Sequence, residues 1–222
     1  MMGNPDIRDL IIFGTGFFAK TCRKYFDRFS DYRFQNFIFD NDSEGTEDFV
    51  HIDMVKKSYP PDKYKVFIAV GYTNMNTVRE KYFKVFKDFG YEFASFVHPN
   101  VVWWNDTTLG SNSFIFENNV VQSNCRILDN VVLWSGNHVG HDTTIDCNSW
   151  ITSHVVIYSN VHIGRNCFVG SNSNIKNELK IGNFNFIGAG SNVWQSSEDY
   201  SFYPVNRTKE SILNKDIIMG LI

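Results

Sequence analysis

The sequence predicts a small Rossmann-like α/β half domain over residues 1–96, followed over residues 97–195 by an all-β, left-handed parallel β-helix of hexapeptide repeats. A C-terminal tail is expected over residues 196–222. Two observations predict this order of parts. Strand-like and helix-like segments alternate before residue 97, and an apolar residue recurs at every sixth position after it. A period of six fits neither a long strand nor an α-helix.

The alternating segments of the first part are short. Apolar runs at 10–13, 37–39 and 66–71 predict strands, and the patterns at 17–26 and 76–86 predict helices. Strands separated by helices are typical of a parallel sheet, in which ligands lie at the carboxyl ends of the strands. The sequence therefore predicts a binding site at that edge of the sheet.

The turn after the first predicted strand contains Gly14-x-Gly16, which is part of the dinucleotide-binding fingerprint. Ala19 takes the place of the third glycine, and Asp40 stands roughly where an acid that contacts ribose is expected. Because the classical dinucleotide fold needs two such halves, the sequence favours a single nucleotide or a nucleotide sugar. The expected substrate contacts in this domain are Gly14, Gly16, Phe17, Phe18, Asp40 and Asn41.

The six-residue repeat runs without a break from Val97 to Val193. The position two residues before each apolar residue is mostly small or β-branched, which suits a tight interior corner. Asn, Asp or Gly follows three residues after the apolar residue in thirteen of sixteen cases, and these residue types tolerate a left-handed backbone. Three hexapeptides then complete a triangular coil of about eighteen residues, and roughly five such coils stack on one another.

Composition and charge exclude several classes of function. The chain has 21 Lys and Arg against 24 Asp and Glu, and no basic block typical of a nucleic-acid-binding protein. Apolar runs are too short for a membrane-spanning helix, and residues 1–9 lack the order of a signal peptide, so a cytoplasmic protein is expected. The four cysteines have no C-x-x-C spacing, and no metal site is expected.

Five segments resemble the bacterial sugar acyltransferases of the hexapeptide-repeat class, which include sialic acid O-acetyltransferases and N-acetyltransferases of nucleotide-linked amino-deoxysugars. The segments are 11–16, 37–42, 68–71, 97–100 and, most specific, Val139-Gly140-His141-Asp142. The resemblance implies that the first domain holds the nucleotide sugar and that the coil binds an acyl-coenzyme A. It also implies a homotrimer in which each active site lies between two coils.

The sequence differs from the family pattern at three places. Phe17-Phe18 stands where the family often has a histidine near the substrate, and Trp150 stands where a second coil histidine contacts the cofactor. The usual closing Gly-x-Pro-Ala motif is absent, and residues 203–207 occupy its region. These differences predict a changed acyl group or sugar within the same chemistry.

His141 is the expected general base. It stands two places after an inward apolar residue, in a position that small or polar residues mostly fill elsewhere in the repeat. Histidine is well suited to accept a proton near neutral pH, and the resemblance supports this role. Asp142 fills the left-handed turn position, which turn geometry alone explains, and is also adjacent enough to orient His141. His138 faces outward on a flat and is expected to contact substrate or another subunit.

The cofactor site is expected on the last coils. Gly170 and Gly188 lie one coil apart, and a missing side chain there lets the pantetheine arm of coenzyme A lie against the backbone. Glycine at this position is also ordinary for a hexapeptide repeat. The expected cofactor contacts are Trp150, Gly170, Ser171, Gly188 and Ala189.

Together these features predict an acyl-coenzyme A-dependent N-acyltransferase, with acetyl as the expected group and a nucleotide-linked amino-deoxysugar as the acceptor. The amine attacks the thioester directly, because no cysteine or serine is recognisably paired with a base. Two alternatives remain open at this point. One is an O-acetyltransferase of the sialic acid type, and the other is a non-catalytic β-helical binding or assembly protein.

Overall fold

The computed structural model describes residues 8–40, 49–205 and Met219. It has the predicted architecture, in which an α/β domain packs against one side of a three-sided, left-handed parallel β-helix. The elements of the α/β domain are β1 (Asp9–Phe13), α1 (Phe17–Phe29), β2 (Arg33–Phe39), β3 (Phe49–His51), a 3-10 turn (Ile52–Met54), α2 (Val55–Ser58), β4 (Lys65–Ile68) and α3 (Thr77–Asp88). Its strands form a parallel sheet of order β3-β2-β1-β4 with helices on both faces.

The two longer helices cover opposite faces of this sheet. Helix α1 packs with Leu10 and Ile12 on the face that meets the β-helix, whereas α3 packs with Ile11 and Phe13 on the other face. The chain passes from β1 to β2 on one side and returns to β4 on the other. The boundary between β1 and β4 is therefore a topological switch point, where open α/β sheets bind their ligands.

Three parallel sheets form the walls of the β-helix. We call the one that meets the α/β domain the docking sheet, and the next two along the chain the second and third sheets. Within the repeat, each strand pairs with strands eighteen residues away, as Val132 does with Phe114 and Trp150. The docking sheet contains Phe96–Val97, Phe114–Ile115, Val132–Leu133, Trp150–Ile151, Phe168–Val169, Phe186–Ile187 and Phe202–Tyr203; the second sheet Val102–Trp103, Val120–Val121, His138–Val139, Val156–Ile157, Asn174–Ile175 and Asn192–Val193; the third Thr108–Leu109, Arg126–Ile127, Thr144–Ile145, His162–Ile163 and Lys180–Ile181.

The recurring apolar residues fill the interior as predicted. Each of them from Ile115 to Val193 is at most 2% exposed. The first three, Val97, Trp103 and Leu109, are only partly buried and pack against the same core. Burial by neighbouring coils thus explains the strict period of six, because every sixth side chain has to face the axis.

Left-handed corners recur between the strands, with exceptions at the first coil. Asn100 and Asp106 fit the corner pattern in sequence, yet neither has a positive φ. Asp106 instead accepts a hydrogen bond from the backbone of Asn124 through its carboxylate, at 2.9 Å. Farther along, the left-handed corner is kept at Glu178 and Phe184, which sequence pattern alone does not indicate.

The coil continues beyond residue 195, into the segment assigned to the tail. Ser197 bridges to Ile181, and Phe202–Tyr203 pairs with Phe186–Ile187. These partners are sixteen residues apart in sequence instead of eighteen. The shortened last coil breaks the six-residue register, and for this reason the repeat pattern ends before the fold does.

One corner of the β-helix carries a column of buried asparagines, Asn112, Asn130, Asn148 and Asn166, here called the asparagine ladder. Each side-chain amide donates to the carbonyl of the next asparagine, at 2.7, 2.8 and 3.2 Å. At the first step, Asn112 exchanges hydrogen bonds with the backbone of Ile68 at the end of β4. The ladder therefore both turns the coil and binds the α/β domain.

Arg79 of α3 is fully buried on this ladder. Its guanidinium donates to the side chain and backbone carbonyls of Asn130, both at 3.1 Å, and to the backbone carbonyl of Asn148 at 2.8 Å. It also lies over the ring of Trp150, 5.0 Å from the centroid. Burial lowers the pKa of Arg79 to about 9, so the group remains a cation at neutral pH, solvated by oxygens and an aromatic face.

Replacing Arg79 should weaken the packing of the α/β domain on the β-helix. Arg79→Met leaves buried carbonyl oxygens of the ladder without donors, and we expect the free energy of unfolding to fall by about 3 kcal/mol or more. Urea denaturation measures the change. Arg23→Met is the control, because Arg23 is an exposed partner of Asp27. We call the buried contact of Arg79 with the asparagine ladder the seam. An equally small effect of both substitutions would contradict its importance for stability.

Candidate active site

The predicted base lies at the corner between the second and third sheets, here called the histidine corner. His141 Nδ1 is 2.6 Å from Asp142 Oδ2. Asp142 has a φ of 59°, and its other carboxylate oxygen accepts from Asn124 Nδ2 at 2.5 Å. Hydrogen bonds from His141 and Asn124 lower the pKa of Asp142, so this group stays a carboxylate at neutral pH. The turn position and the orienting role predicted for Asp142 are thus compatible.

The backbone of His141 is fixed by the coils on either side. Its N–H donates to Gln122 Oε1 at 3.0 Å, and its carbonyl accepts from the backbone N–H of Asn160 at 2.8 Å. The side chain is 54% exposed, so the ring is accessible. With Nδ1 facing a carboxylate, the tautomer that donates from Nδ1 leaves a lone pair on Nε2. That arrangement is the one required of a general base.

An open polar cleft of about 550 Å³ extends from His141 along the histidine corner. It crosses three successive coils, and it is lined by the His141 imidazole, short polar side chains and two carboxylates. The lining residues are His141, Asp142, Ser159, Asn160, Asn177 and Glu178. The cleft is open to solvent in the single chain, so a second molecule can close it.

A second group of predicted residues lies at the carboxyl edge of the α/β sheet. Gly14 has a φ of +117°, and a Cβ there would lie 2.7 Å from the carbonyl oxygen of Ala69, so glycine is required where the β1 and β4 turns meet. Within residues 8–40 and 49–205, no atom lies within 4 Å of a Cβ built on Gly16. Phe17 is 78% exposed, and Asp40 is exposed at the end of β2. The predicted Asn41 lies outside the described residues.

Two residues that were predicted to contact ligands are buried in the core between the domains. Phe18 is 8% exposed and Trp150 is 2% exposed, and their rings lie 4.9 Å apart. Helix α1 turns Phe18 inward while Phe17 faces solvent. Trp150 is covered because the α/β domain packs on the docking sheet, so its position gives no support to a direct contact with substrate or cofactor.

The predicted cofactor glycines are explained by coil stacking. A Cβ on Gly170 would lie 2.4 Å from the backbone nitrogen of Ala189, and one on Gly188 would lie 2.8 Å from the carbonyl oxygen of Tyr203. The space beside each glycine is therefore filled by the next coil. Ser171 donates to Thr152 Oγ1 at 3.1 Å. A cofactor role for Gly170, Ser171, Gly188 and Ala189 stays a prediction.

Within one chain, the two groups lie on opposite sides of the prism. The α/β domain contacts the docking sheet and the corners that flank it. The histidine corner joins the second and third sheets, and is therefore the corner opposite the docking sheet. His138 is half-buried on the second sheet, in the strand that leads into the histidine corner. A single chain does not bring His141 and the sheet edge together.

The sequence interpretation missed the segment that follows β4. Residues 66–71 were expected to form a strand, whereas β4 ends at Ile68. Tyr72 is 55% exposed and comes three residues after Ala69, whose carbonyl oxygen lies against Gly14. The signal available in the sequence is an aromatic residue four positions after the end of a buried parallel strand.

Comparison with known proteins supports the fold. The model for bacterial transferase hexapeptide repeats matches residues 142–177. Solved structures with the same architecture include the acetyltransferase domain of PglB from Neisseria gonorrhoeae, with a TM-score of 0.77, 21% identity, and coverage of 88% of this chain and 95% of that one. PerB from Caulobacter crescentus, in complex with CoA and GDP-perosamine, has a TM-score of 0.79, 19% identity, and coverage of 87% and 92%.

A third structure, WeeI from Acinetobacter baumannii, has a TM-score of 0.73, 23% identity, and coverage of 87% of this chain and 94% of that one. At these identities the likeness establishes a shared fold, and it confirms the resemblance to hexapeptide-repeat sugar acyltransferases at that level. A search of curated proteins finds no significant match. None of the helices in the described parts of the chain has the length and apolar character needed to cross a membrane.

Two glycine substitutions separate a stacking role from an open site. Gly170→Ala places a methyl group against the next coil, and we expect a loss of about 1–3 kcal/mol in the free energy of unfolding. Gly16→Ala enters open space at a φ of −73°, and we expect a loss of no more than about 1 kcal/mol, because alanine is a poorer N-cap of α1 than glycine. Chemical denaturation of both variants measures the difference. A harmless Gly170→Ala would indicate that the coils leave room beside this residue.

Proposed function

We propose that this protein is an acyl-coenzyme A-dependent N-acyltransferase that acts on the amino group of a nucleotide-linked amino-deoxysugar, with His141 as general base. The single observation that carries the proposal is the His141–Asp142 pair, which faces an open cleft on a β-helix. Structures of the same fold support the substrate classes. They include the PglB domain in complex with acetyl coenzyme A and PerB in complex with CoA and GDP-perosamine.

The proposed reaction needs one proton acceptor and close placement of two substrates. The sugar amine attacks the thioester carbonyl, and His141 Nε2 removes the proton that the nitrogen releases. Asp142 holds the ring through Nδ1 and stabilises the positive charge that the imidazole acquires. Collapse of the tetrahedral intermediate expels the thiolate of coenzyme A and leaves the amide. No acyl group is transferred to the protein in this route.

The site is proposed to form between two copies of the chain. The sheet edge with Gly14 and Gly16 lies on the side of the docking sheet, and His141 lies at the opposite corner of the same prism. A nucleotide sugar held at the sheet edge therefore reaches the histidine corner of a neighbouring copy. A closed ring satisfies this requirement for every subunit, and we propose the homotrimer. We place the protein in the cytoplasm, where acyl-coenzyme A is available.

The alternatives differ in how much they need the base. A sugar hydroxyl is a poorer nucleophile than an amine and depends more strongly on His141, so sialic acid O-acetylation remains the second candidate on the same geometry. A non-catalytic binding protein has no need of a histidine oriented by a carboxylate. The 2.6 Å contact of His141 with Asp142 favours the enzyme.

Substitution of His141 tests the base directly. We expect His141→Ala to lower kcat by about 10²-fold or more, because general bases typically contribute that much. Asp142→Asn keeps a residue that tolerates the left-handed turn, and should lower kcat less. Release of free thiol from acetyl-coenzyme A measures the rate with UDP- and GDP-linked 4-amino-deoxysugars as acceptors. His162→Ala, which removes another exposed histidine of the coil, is the control and should be fully active.

Mixing two inactive chains tests the shared site. Gly16→Trp fills open space at the sheet edge, and His141→Ala removes the base from the histidine corner. When the two variants are co-expressed and purified as mixed oligomers, about a quarter of the sites combine two intact surfaces, so up to that share of wild-type activity should return. Activity that stays at the level of the separate variants would place both groups of residues in one chain's own site.

A further inference from the structure

A strained turn follows Tyr72 at the switch point of the sheet. Asn74, Met75 and Asn76 have φ values of 49°, 50° and 65°. Non-glycine residues usually visit this left-handed region singly, at a cost of about 1–2 kcal/mol each. Three in succession need compensation from the surroundings, and strain of this kind is concentrated at functional sites.

The compensation comes from the β-helix. Asn76 Nδ2 donates to the backbone carbonyl of Cys167 at 3.1 Å, and Asn166 Nδ2 donates to the carbonyl of Met75 at 3.2 Å. Arg79 donates to Asn76 Oδ1 at 3.1 Å. The turn is thus held by the same buried seam that holds the two domains together, and its position relative to the coil is fixed.

The fixed turn presents an aromatic face to solvent. Tyr72 is 55% exposed, although its ring packs against Trp150 at 5.4 Å and Phe168 at 4.9 Å between centroids. An exposed aromatic ring with a rigid aromatic backing loses little conformational entropy when a ligand covers it.

The position of Tyr72 between the sheet edge and the coil indicates which part of a bound nucleotide sugar its ring contacts. The nucleotide-sugar site proposed above lies at this sheet edge, and the sugar amine has to reach a histidine corner of another coil. In the proposed trimer each active site lies between two coils, so the neighbouring histidine corner meets the sheet edge from the side of the coils. The sugar end of the ligand therefore lies toward the coils, and the base lies away from them. Tyr72 rests on two coil residues, Trp150 and Phe168, and so faces the sugar end.

We infer that Tyr72 is a specificity-determining residue whose ring packs on the apolar face of the deoxysugar. This inference rests on the proposed function and adds to it a contact with the sugar ring. A deoxysugar presents C–H groups where other hexoses carry hydroxyls, and burying such a face against an aromatic ring is favourable. Discrimination between deoxysugar and fully hydroxylated acceptors then depends on Tyr72.

Binding of four probes to the full chain tests the inference. GDP-perosamine and a UDP-linked 4-amino-4,6-dideoxyhexose carry the sugar, whereas GDP and UDP carry only the nucleotide. Isothermal titration calorimetry with Tyr72→Ala should show about a 10-fold or greater loss of affinity for the sugar-bearing probe that wild type binds, and no change for the matching diphosphate. Tyr72→Phe should retain wild-type affinity. Tyr200→Asn removes an exposed aromatic elsewhere at a left-handed position and should have no effect.

The outcomes are distinct. Unchanged affinity of Tyr72→Ala for the nucleotide sugar, with wild type binding it, overturns the inference and leaves the proposed function intact. An equal loss for the diphosphate also overturns it, because the ring would then contact the nucleotide. Wild-type protein that binds none of the four probes contradicts the proposed function, and the inference fails with it. Thermal unfolding of each variant verifies that the fold is retained.

Discussion

A buried guanidinium that bonds to amide and backbone oxygens, with no carboxylate partner in the described part of the chain, holds the two halves of the molecule together. Arg79 is solvated by Asn76, the asparagine ladder and the face of Trp150. A cation in this environment is stable only while every oxygen around it keeps its position, because burial without such partners is very costly. The orientation of the α/β domain, the strained turn before α3 and the exposure of Tyr72 all depend on this seam.

The asparagine ladder performs two tasks with one residue type. As corner residues, Asn112, Asn130, Asn148 and Asn166 adopt the left-handed backbone that a tight turn requires. As side chains, they bond along the coil and outward to the α/β domain. A glycine would make the turn equally well but would offer no amide to the partner domain. The docking surface is thus built from the same repeat that builds the coil.

Much of the fold follows from the sequence because the β-helix is a local, periodic structure. The apolar residue at every sixth position and the Asn, Asp or Gly residues at the corners specify the coil. The same period shows that His141 stands where small or polar residues are usual. The face on which the α/β domain docks does not follow, because it depends on long-range contacts of Arg79. Phe18 and Trp150 were therefore expected at ligand sites but are buried between the domains. Gly170 and Gly188 fit coil stacking equally well, and Tyr72 was overlooked because the strand was expected to extend to residue 71.

The seam keeps the sheet edge that is proposed to bind the nucleotide sugar and His141 on opposite sides of one prism. A structure of the assembled protein with coenzyme A and a nucleotide-linked amino sugar bound is the most direct measurement. We expect the sugar to lie on the sheet edge of one copy, beside Tyr72, with its amine within hydrogen-bonding distance of Nε2 of a neighbouring copy's His141. Both ligands bound to residues of a single chain, or an assembly that leaves His141 on the outer surface, would contradict it.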